Sequence, residues 1–142
     1  DGGCFHAALR AVTRFGGVLE HPADSHAWAA YGILKPPRSG GWIRSGDGWT
    51  CYVEQGWYGH MSRKPTWLFA CHVNPPSLRW GVSAQRLHPV ALERHGYAKA
   101  RRIGMMAMVG GKHKKRIRDA TPPDFRDLLI AMARTARAYA LP

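Results

Sequence analysis

Trp49-Thr50-Cys51-Tyr52-Val53-Glu54 and, after eleven intervening residues, Thr66-Trp67-Leu68-Phe69-Ala70-Cys71-His72-Val73 are the two runs that decide the fold class. Both are rich in aromatic and β-branched residues, the composition of a pleated, half-buried surface, so both read as strands. Residues 58–65 join them, longer than a minimal hairpin turn and carrying His60, Arg63 and Lys64. Upstream, Val18-Leu19 is a short apolar run closed by Glu20-His21-Pro22, which reads as a third, buried strand. Before it, Cys4, Phe5, Ala8, Leu9, Val12 and Phe15 fall on one helical stripe, ended by Gly16-Gly17. Ser25 is placed to cap a short helix running through Trp28 and Tyr31.

Residues 32–48 hold five glycines, two prolines and two serines and read as one long loop. Residues 74–120 read as an irregular, basic region. At the far end, Thr121-Pro122-Pro123-Asp124 is a helix start with Thr at the cap. Phe125, Leu128, Leu129, Met132, Ala136 and Tyr139 continue it as an apolar stripe over residues 121–140. The expectation is an α/β protein with a small mixed sheet of about three strands. Residues 17–20, 49–54 and 66–73 form it, the last two antiparallel, with helices flanking and long loops between.

The chain has 142 residues, 45% hydrophobic and 21% charged, the range of one globular domain spanning 1–142. No stretch has the ~18 consecutive apolar residues of a membrane span, and no basic, apolar leader opens the chain. Three cysteines (Cys4, Cys51 and Cys71) are an odd number without any C-x-x-C spacing, which disfavours a disulfide scaffold or zinc ribbon. A reducing, cytoplasmic setting is expected. Adjacent strand residues face opposite sides, so Cys71 and His72 do not converge on one metal. The first residue is Asp, so a chain that has been trimmed or processed, or read from an incomplete gene, is expected.

Charge is the strongest compositional signal. Twenty-one Lys and Arg against nine Asp and Glu leave +12, which favours a polyanionic partner, most often nucleic acid. Residues 94–118 hold nine Lys or Arg and no acid, including Lys112, Lys114, Lys115, Arg116 and Arg118. Two readings stand for that run: a solvated loop, or a phosphate-contacting segment working with the aromatics concentrated between Trp28 and Trp80. Asn74-Pro75-Pro76-Ser77 is read as loop chemistry, because proline pushes the preceding residue out of helix.

Two segments together carry a resemblance. Gly17-Val18-Leu19-Glu20-His21-Pro22-Ala23-Asp24-Ser25, followed by Trp28, is similar to the Glu-Asn-Pro…Ser…Trp element of phage-type DNA methyltransferase-like proteins. Glu54-Gln55-Gly56-Trp57-Tyr58-Gly59-His60, then Arg63-Lys64-Pro65-Thr66-Trp67, resembles their hairpin. These proteins are related to the cytosine-5 DNA methyltransferase family, and the likeness covers residues 1–73, the terminal helix being compatible with it.

The resemblance implies a partial Rossmann-like methyltransferase fold, of which this chain is the substrate-side half. Its Val18 strand would run parallel to a hairpin strand and have a further neighbour on its other side. It implies that Glu20 bonds the edge of a flipped-out cytosine and that Arg63, with Lys64 nearby, helps hold the same base. His21 stands where the family has Asn. The family's nucleophilic Cys and cofactor glycines have no counterpart: Cys4 opens a helix and is not assigned that role. S-adenosylmethionine is therefore expected to bind only with a donor-binding N-terminal segment, itself a partner, and DNA is the other partner expected. Beside this stands a bland reading, in which Glu20 is a strand-end carboxylate capping a helix or pairing with an arginine, His60 a turn hydrogen-bonder and Gln55 a rung in a ladder. The competing function is a non-catalytic, basic nucleic-acid-binding protein.

Overall fold

The computed structural model describes residues 3–84, 86–87, 89–103, 115–116 and 119–136. In chain order these form α1 (Cys4–Phe15), β1 (Gly17–Pro22), α2 (His26–Ala30), β2 (Ile43–Ser45), β3 (Gly48–Glu54), a 3-10 turn (Gln55–Tyr58), β4 (Pro65–Cys71), α3 (Pro89–Ile103) and α4 (Pro123–Ala133). The fold is mixed α/β. One four-stranded sheet has the order β1-β4-β3-β2, and every hydrogen-bonded pair in it is antiparallel.

The expected sheet of three mixed strands is thus corrected in two respects. The added strand is β2, which pairs Ile43 with Thr50 and Ser45 with Gly48 across the two-residue turn Gly46-Asp47. Gly46 sits at φ 56°, the left-handed conformation that two-residue hairpins demand, and glycine adopts it without steric penalty. The Gly-Asp hairpin signal was submerged in the glycine content of residues 32–48. Second, β1 lies antiparallel against β4, with Glu20 opposite Leu68. Because β4 is antiparallel to both neighbours, β1 and β3 share a direction without touching. Parallel pairing is absent among the described residues.

Strand β4 is central, and its residues from Thr66 to Cys71 are all buried. Its Trp-Leu-Phe-Ala-Cys run is the continuous apolar pattern of a strand covered on both faces. Alternation then sorts the core. On one face Trp67, Phe69 and Cys71 join Leu19, Tyr52, Ile33 and Trp28 under Phe5 of α1. On the other, Leu68 and Ala70 join Cys51, Val53, Val73 and Leu78 under Phe125 and Met132 of α4. Trp28 ties α2 to the sheet: its indole Nε1 donates to Thr50 Oγ1 (3.1 Å), and that hydroxyl donates to the Leu68 carbonyl (2.9 Å). Ser25 caps α2 as expected, accepting from the Ala27 amide at 3.2 Å.

Helix α4 begins one residue later than its cap signal. Pro122, not Thr121, is the N-cap and Pro123 occupies the first helical position, where a missing N–H costs nothing. Residues 137–142, with Tyr139 of the expected stripe, lie outside the described residues. In α1 Phe5 of the stripe is buried and Ala8, Leu9 and Val12 are half-buried, while Cys4 and Phe15 at its two ends are exposed. The stretch expected to be irregular contains α3, which bends at Gly96 (φ 70°, ψ 162°). No helix among the described residues is long and apolar enough to cross a membrane.

Gly48 opens β3 where the sheet leaves no room: an added Cβ would lie 2.6 Å from both the Ala70 carbonyl oxygen and Phe69 Cζ. Gly48→Ala is expected to lower the urea midpoint by the equivalent of about 1–3 kcal/mol, the usual cost of overpacking. Trp28→Ala should cost about 3–5 kcal/mol through its cavity. An unchanged midpoint for either variant would contradict the register and packing described.

Candidate functional site

The ends of β1, β3 and β4 converge on Gln55, the first residue after β3. Its side chain is fully buried and reaches back across the sheet end. Gln55 Nε2 donates to Glu20 Oε1 (3.1 Å) and to Thr66 Oγ1 (2.9 Å), while Thr66 Oγ1 donates onward to the Lys64 carbonyl (3.0 Å). Both amide hydrogens face acceptors, which settles the orientation of the amide. Gln55 Oε1 is then left as a buried acceptor without a donor. Native interiors seldom leave such an atom unpaired.

Lys64 stands beside this pair. It is half-buried, its backbone lies in the left-handed region (φ 42°), and its Nζ donates to the carbonyls of Asp119 (3.3 Å) and Ala120 (2.7 Å). Burial draws its ammonium below the usual lysine range, and the Glu20 and Asp119 carboxylates oppose that shift. Glu20, half-buried, thus has an amide donor in contact and an ammonium in its field.

One residue earlier, Glu54 anchors the whole turn. It is only 3% exposed, yet its carboxylate takes three donors: the Tyr52 hydroxyl (2.7 Å), the Ser83 amide (2.7 Å) and the Ser83 hydroxyl (2.8 Å). A buried carboxylate is tolerable only when compensated in this way. Gly56 lacks a side chain because Ser83 Oγ occupies that space. Further links bind residues 79–81 to the same turn: Trp57 Nε1 donates to the Gly81 carbonyl, Arg79 donates from its amide to the Tyr58 hydroxyl and from its guanidinium to the Trp57 carbonyl. His60 is buried, and its Nδ1 accepts from the Ser62 amide (3.0 Å), which makes it a turn hydrogen-bonder.

Of the residues singled out from sequence, Glu20 and Lys64 are brought together, with Gln55 between the strands. Arg63 is exposed and goes elsewhere. It lines a cavity of about 500 Å3 with Ser83, Leu92, Tyr97 and Arg101, and it shares no hydrogen bond or ion pair with Glu20. Lys115 and Arg116 are exposed, whereas Lys112, Lys114 and Arg118 lie outside the described residues. Asn74-Pro75-Pro76 serves the loop: the Asn74 amide donates to Thr135 Oγ1 and the Pro76 carbonyl accepts from Trp42. Cys51 and Cys71 fall on opposite faces of the sheet, and no group of three metal-ligating residues forms among the described residues.

No protein-family model, curated protein or solved structure matches this chain.

Sequence reasoning undervalued Gln55 and passed over Tyr52, Glu54 and Ser83 as a unit. A lone acid closing an apolar strand was the available signal for Glu54. Nothing in the sequence marks Ser83, 29 positions later.

Two measurements check the site's interior. Burial pushes the Cys51 and Cys71 thiols up while Cys4 is exposed, so a disulfide-exchange thiol reagent should modify one of three cysteines in the native chain and all three in denaturant. Rapid modification of more than one native thiol would contradict the packing. Tyr52 is raised to about 12, first by burial, then by its hydrogen bond to Glu54 and that carboxylate's charge; Arg38 and Arg63 pull the other way. The folded chain holds this proton more tightly than the unfolded one. The resulting stabilisation is full below pH 10 and disappears as pH rises through about 12. Phenolate absorbance should show one late-titrating tyrosine that Tyr52→Phe removes.

Proposed function

We propose that this chain is the target-base side of a DNA methyltransferase-like protein, and that Glu20 and Lys64 receive the edge of a nucleobase, with Gln55 holding the Glu20 carboxylate in place. The observation that carries the reading is the half-buried Glu20 carboxylate at the end of β1, held by the Gln55 amide and lying in the field of the Lys64 ammonium. The carboxylate suits an exocyclic amine, and the Lys64 ammonium suits a base carbonyl or ring nitrogen. Cytosine presents that combination on one edge. The net charge of +12 supports a phosphate-bearing ligand. The arrangement of β1 and β3, codirectional on either side of an antiparallel β4 with helices on both faces, is compatible with the substrate-side half of a Rossmann-like fold.

The methyl donor does not fit the residues described. After β1 the chain enters α2 through Pro22-Ala23-Asp24-Ser25, with no glycine in the turn. No strand end among the described residues carries the glycine-rich cradle an S-adenosylmethionine site uses. A separate N-terminal segment supplying that cradle belongs to the same proposal. The second reading, a basic nucleic-acid-binding protein without chemistry, draws on the thiols: Cys51 and Cys71 are buried in the core and Cys4 opens α1.

Fluorescence anisotropy with DNA probes tests both parts. For a duplex, each phosphate neutralised contributes about −0.9 to the slope of log affinity against log salt, so five or six contacts give roughly −4.5 to −5.4. Replacing Lys112, Lys114, Lys115 and Arg116 by Ala should flatten that slope by several units with the fold intact. A flat wild-type response, or no loss in the quadruple variant, would reduce that charge to a solvated surface. For the base site, a probe with one unpaired cytosine should bind about tenfold tighter than the same probe with an abasic position, since a well-placed bidentate contact is worth about 1–3 kcal/mol. Glu20→Ala should abolish that preference and leave the salt slope unchanged. Equal affinity for the two probes in the wild type would refute the base site.

A further inference from the structure

Arg63 was singled out as a partner of Glu20 at the base, yet its side chain lines a different space. The cavity it borders, about 500 Å3, is closed on the far side by α3. The bend at Gly96 brings both arms of that helix to it: Leu92 from the first arm, Tyr97 and Arg101 from the second, one helical turn apart. Ser83 and Leu87 complete the wall. Tyr97 is 64% exposed, an aromatic ring left in solvent at the rim, and Arg63 and Arg101 are both exposed. Neither arginine has an acidic partner among the described residues, whose ion pairs are those of Lys35 and Arg38 with Asp24, and of Arg126 with Asp127. The neighbouring acid Glu54 is fully engaged by Tyr52 and Ser83.

Two unpaired guanidiniums and an exposed phenol over an apolar floor form a set with a defined chemistry. Guanidiniums present forked donors that match phosphate oxygens. An exposed aromatic face accepts a stacked base of any identity. An apolar floor of Leu87 and Leu92 suits a sugar or base more than a bare inorganic anion. Residue adjacency fixes how this space relates to the base site: Arg63 and Lys64 are consecutive and turn to different neighbours, one to the α3 cavity and the other to Glu20 and Asp119.

We propose that Arg63, Arg101 and Tyr97 form a nucleotide subsite, in which the two guanidiniums hold a phosphate of a DNA strand and Tyr97 stacks on an unpaired base next to the one at Glu20. The inference rests on the nucleic-acid reading above and extends it from one base to its neighbour. It reassigns Arg63 from the target base to the backbone. The ligand is a strand segment, because a phosphate and an adjoining base are held together.

The test uses the full chain with a single-stranded 12-mer and the corresponding duplex, by anisotropy across a salt series. Tyr97→Ala should weaken single-strand binding by roughly 5- to 150-fold, the span of one lost stacking contact, with the salt slope and duplex affinity unchanged. Tyr97→Phe should retain wild-type affinity. Arg101→Ala should reduce the single-strand salt slope by about 0.7, the loss of one phosphate contact. Arg14→Ala, which removes an equal charge from exposed α1, should not. Thermal melts confirm that these surface variants fold. Salt-dependent DNA binding with Tyr97→Ala and Arg101→Ala both equal to wild type would overturn the subsite and leave the nucleic-acid reading standing. Equal losses for Arg101→Ala and Arg14→Ala would reduce the arginine part to general surface charge and overturn it. Displacement of the strand by a mononucleotide at comparable concentration would make the ligand a free nucleotide, which also overturns it. A wild-type chain that binds neither probe would remove both proposals together.

Discussion

Glu54 is a carboxylate with almost no access to water, held by three hydrogen-bond donors, one from its own strand and two from Ser83, 29 positions on. An ionised group in that position is costly unless every contact is made, so the surrounding chain has little freedom. Tyr52, two residues back on the same strand, supplies one donor and thereby sets the end of β3. Ser83 supplies two, which draws residues 79–84 down over the 3-10 turn. The turn places Gln55 under the ends of β1 and β4, and it sends Arg63 and Lys64 to different neighbours. Removing the carboxylate would strand a phenol and a backbone amide in the interior. Its effects would therefore reach both the Glu20–Gln55 pair and the α3 cavity.

The sheet beneath supplies rigidity to that corner. β4 is buried on both faces and paired on both edges, so its first residues, Pro65 and Thr66, are held by the most constrained strand of the molecule. Thr66 Oγ1 passes a hydrogen bond from Gln55 to the Lys64 carbonyl, linking the two candidate residues through a fixed hydroxyl. Lys64 departs from the ordinary backbone conformation at the point where it must reach Asp119 and Ala120. Strained backbone at such a corner is common where a side chain has a task. By contrast the pairs Asp24 makes with Lys35 and Arg38 lie in solvent and mainly pin residues 35–38 to the turn after β1.

Much of the architecture was legible from the order of residues. Alternation and β-branched content identified β3 and β4 and their antiparallel relation, and the 3.6-residue period identified α1 and α4. Those signals are local and survive any context. β2 was lost because three residues give no periodicity of their own and borrow their conformation from β3. α3 was lost because its bend at Gly96 breaks the stripe that would have revealed it. The orientation of β1 against β4 was not in the sequence at all, since an apolar run reads the same in either direction.

The same division runs through the candidate site. By itself the sequence determined that the chain is basic, that its acids are few, and that Glu20, Gln55, Arg63 and Lys64 stand next to strand ends. Each of those statements depends on composition or on neighbours a few positions away. Only the tertiary structure decided that Gln55 gives both its hydrogens to Glu20 and Thr66 and keeps an unpaired oxygen. Only it decided that Lys64 lies in the field of Glu20 while Arg63 faces Tyr97 and Arg101. The physical reason is that hydrogen-bond satisfaction and the electrostatic surroundings of a charge are properties of residues up to 44 positions apart, set by how β1, β4 and α3 pack and not by any short pattern along the chain.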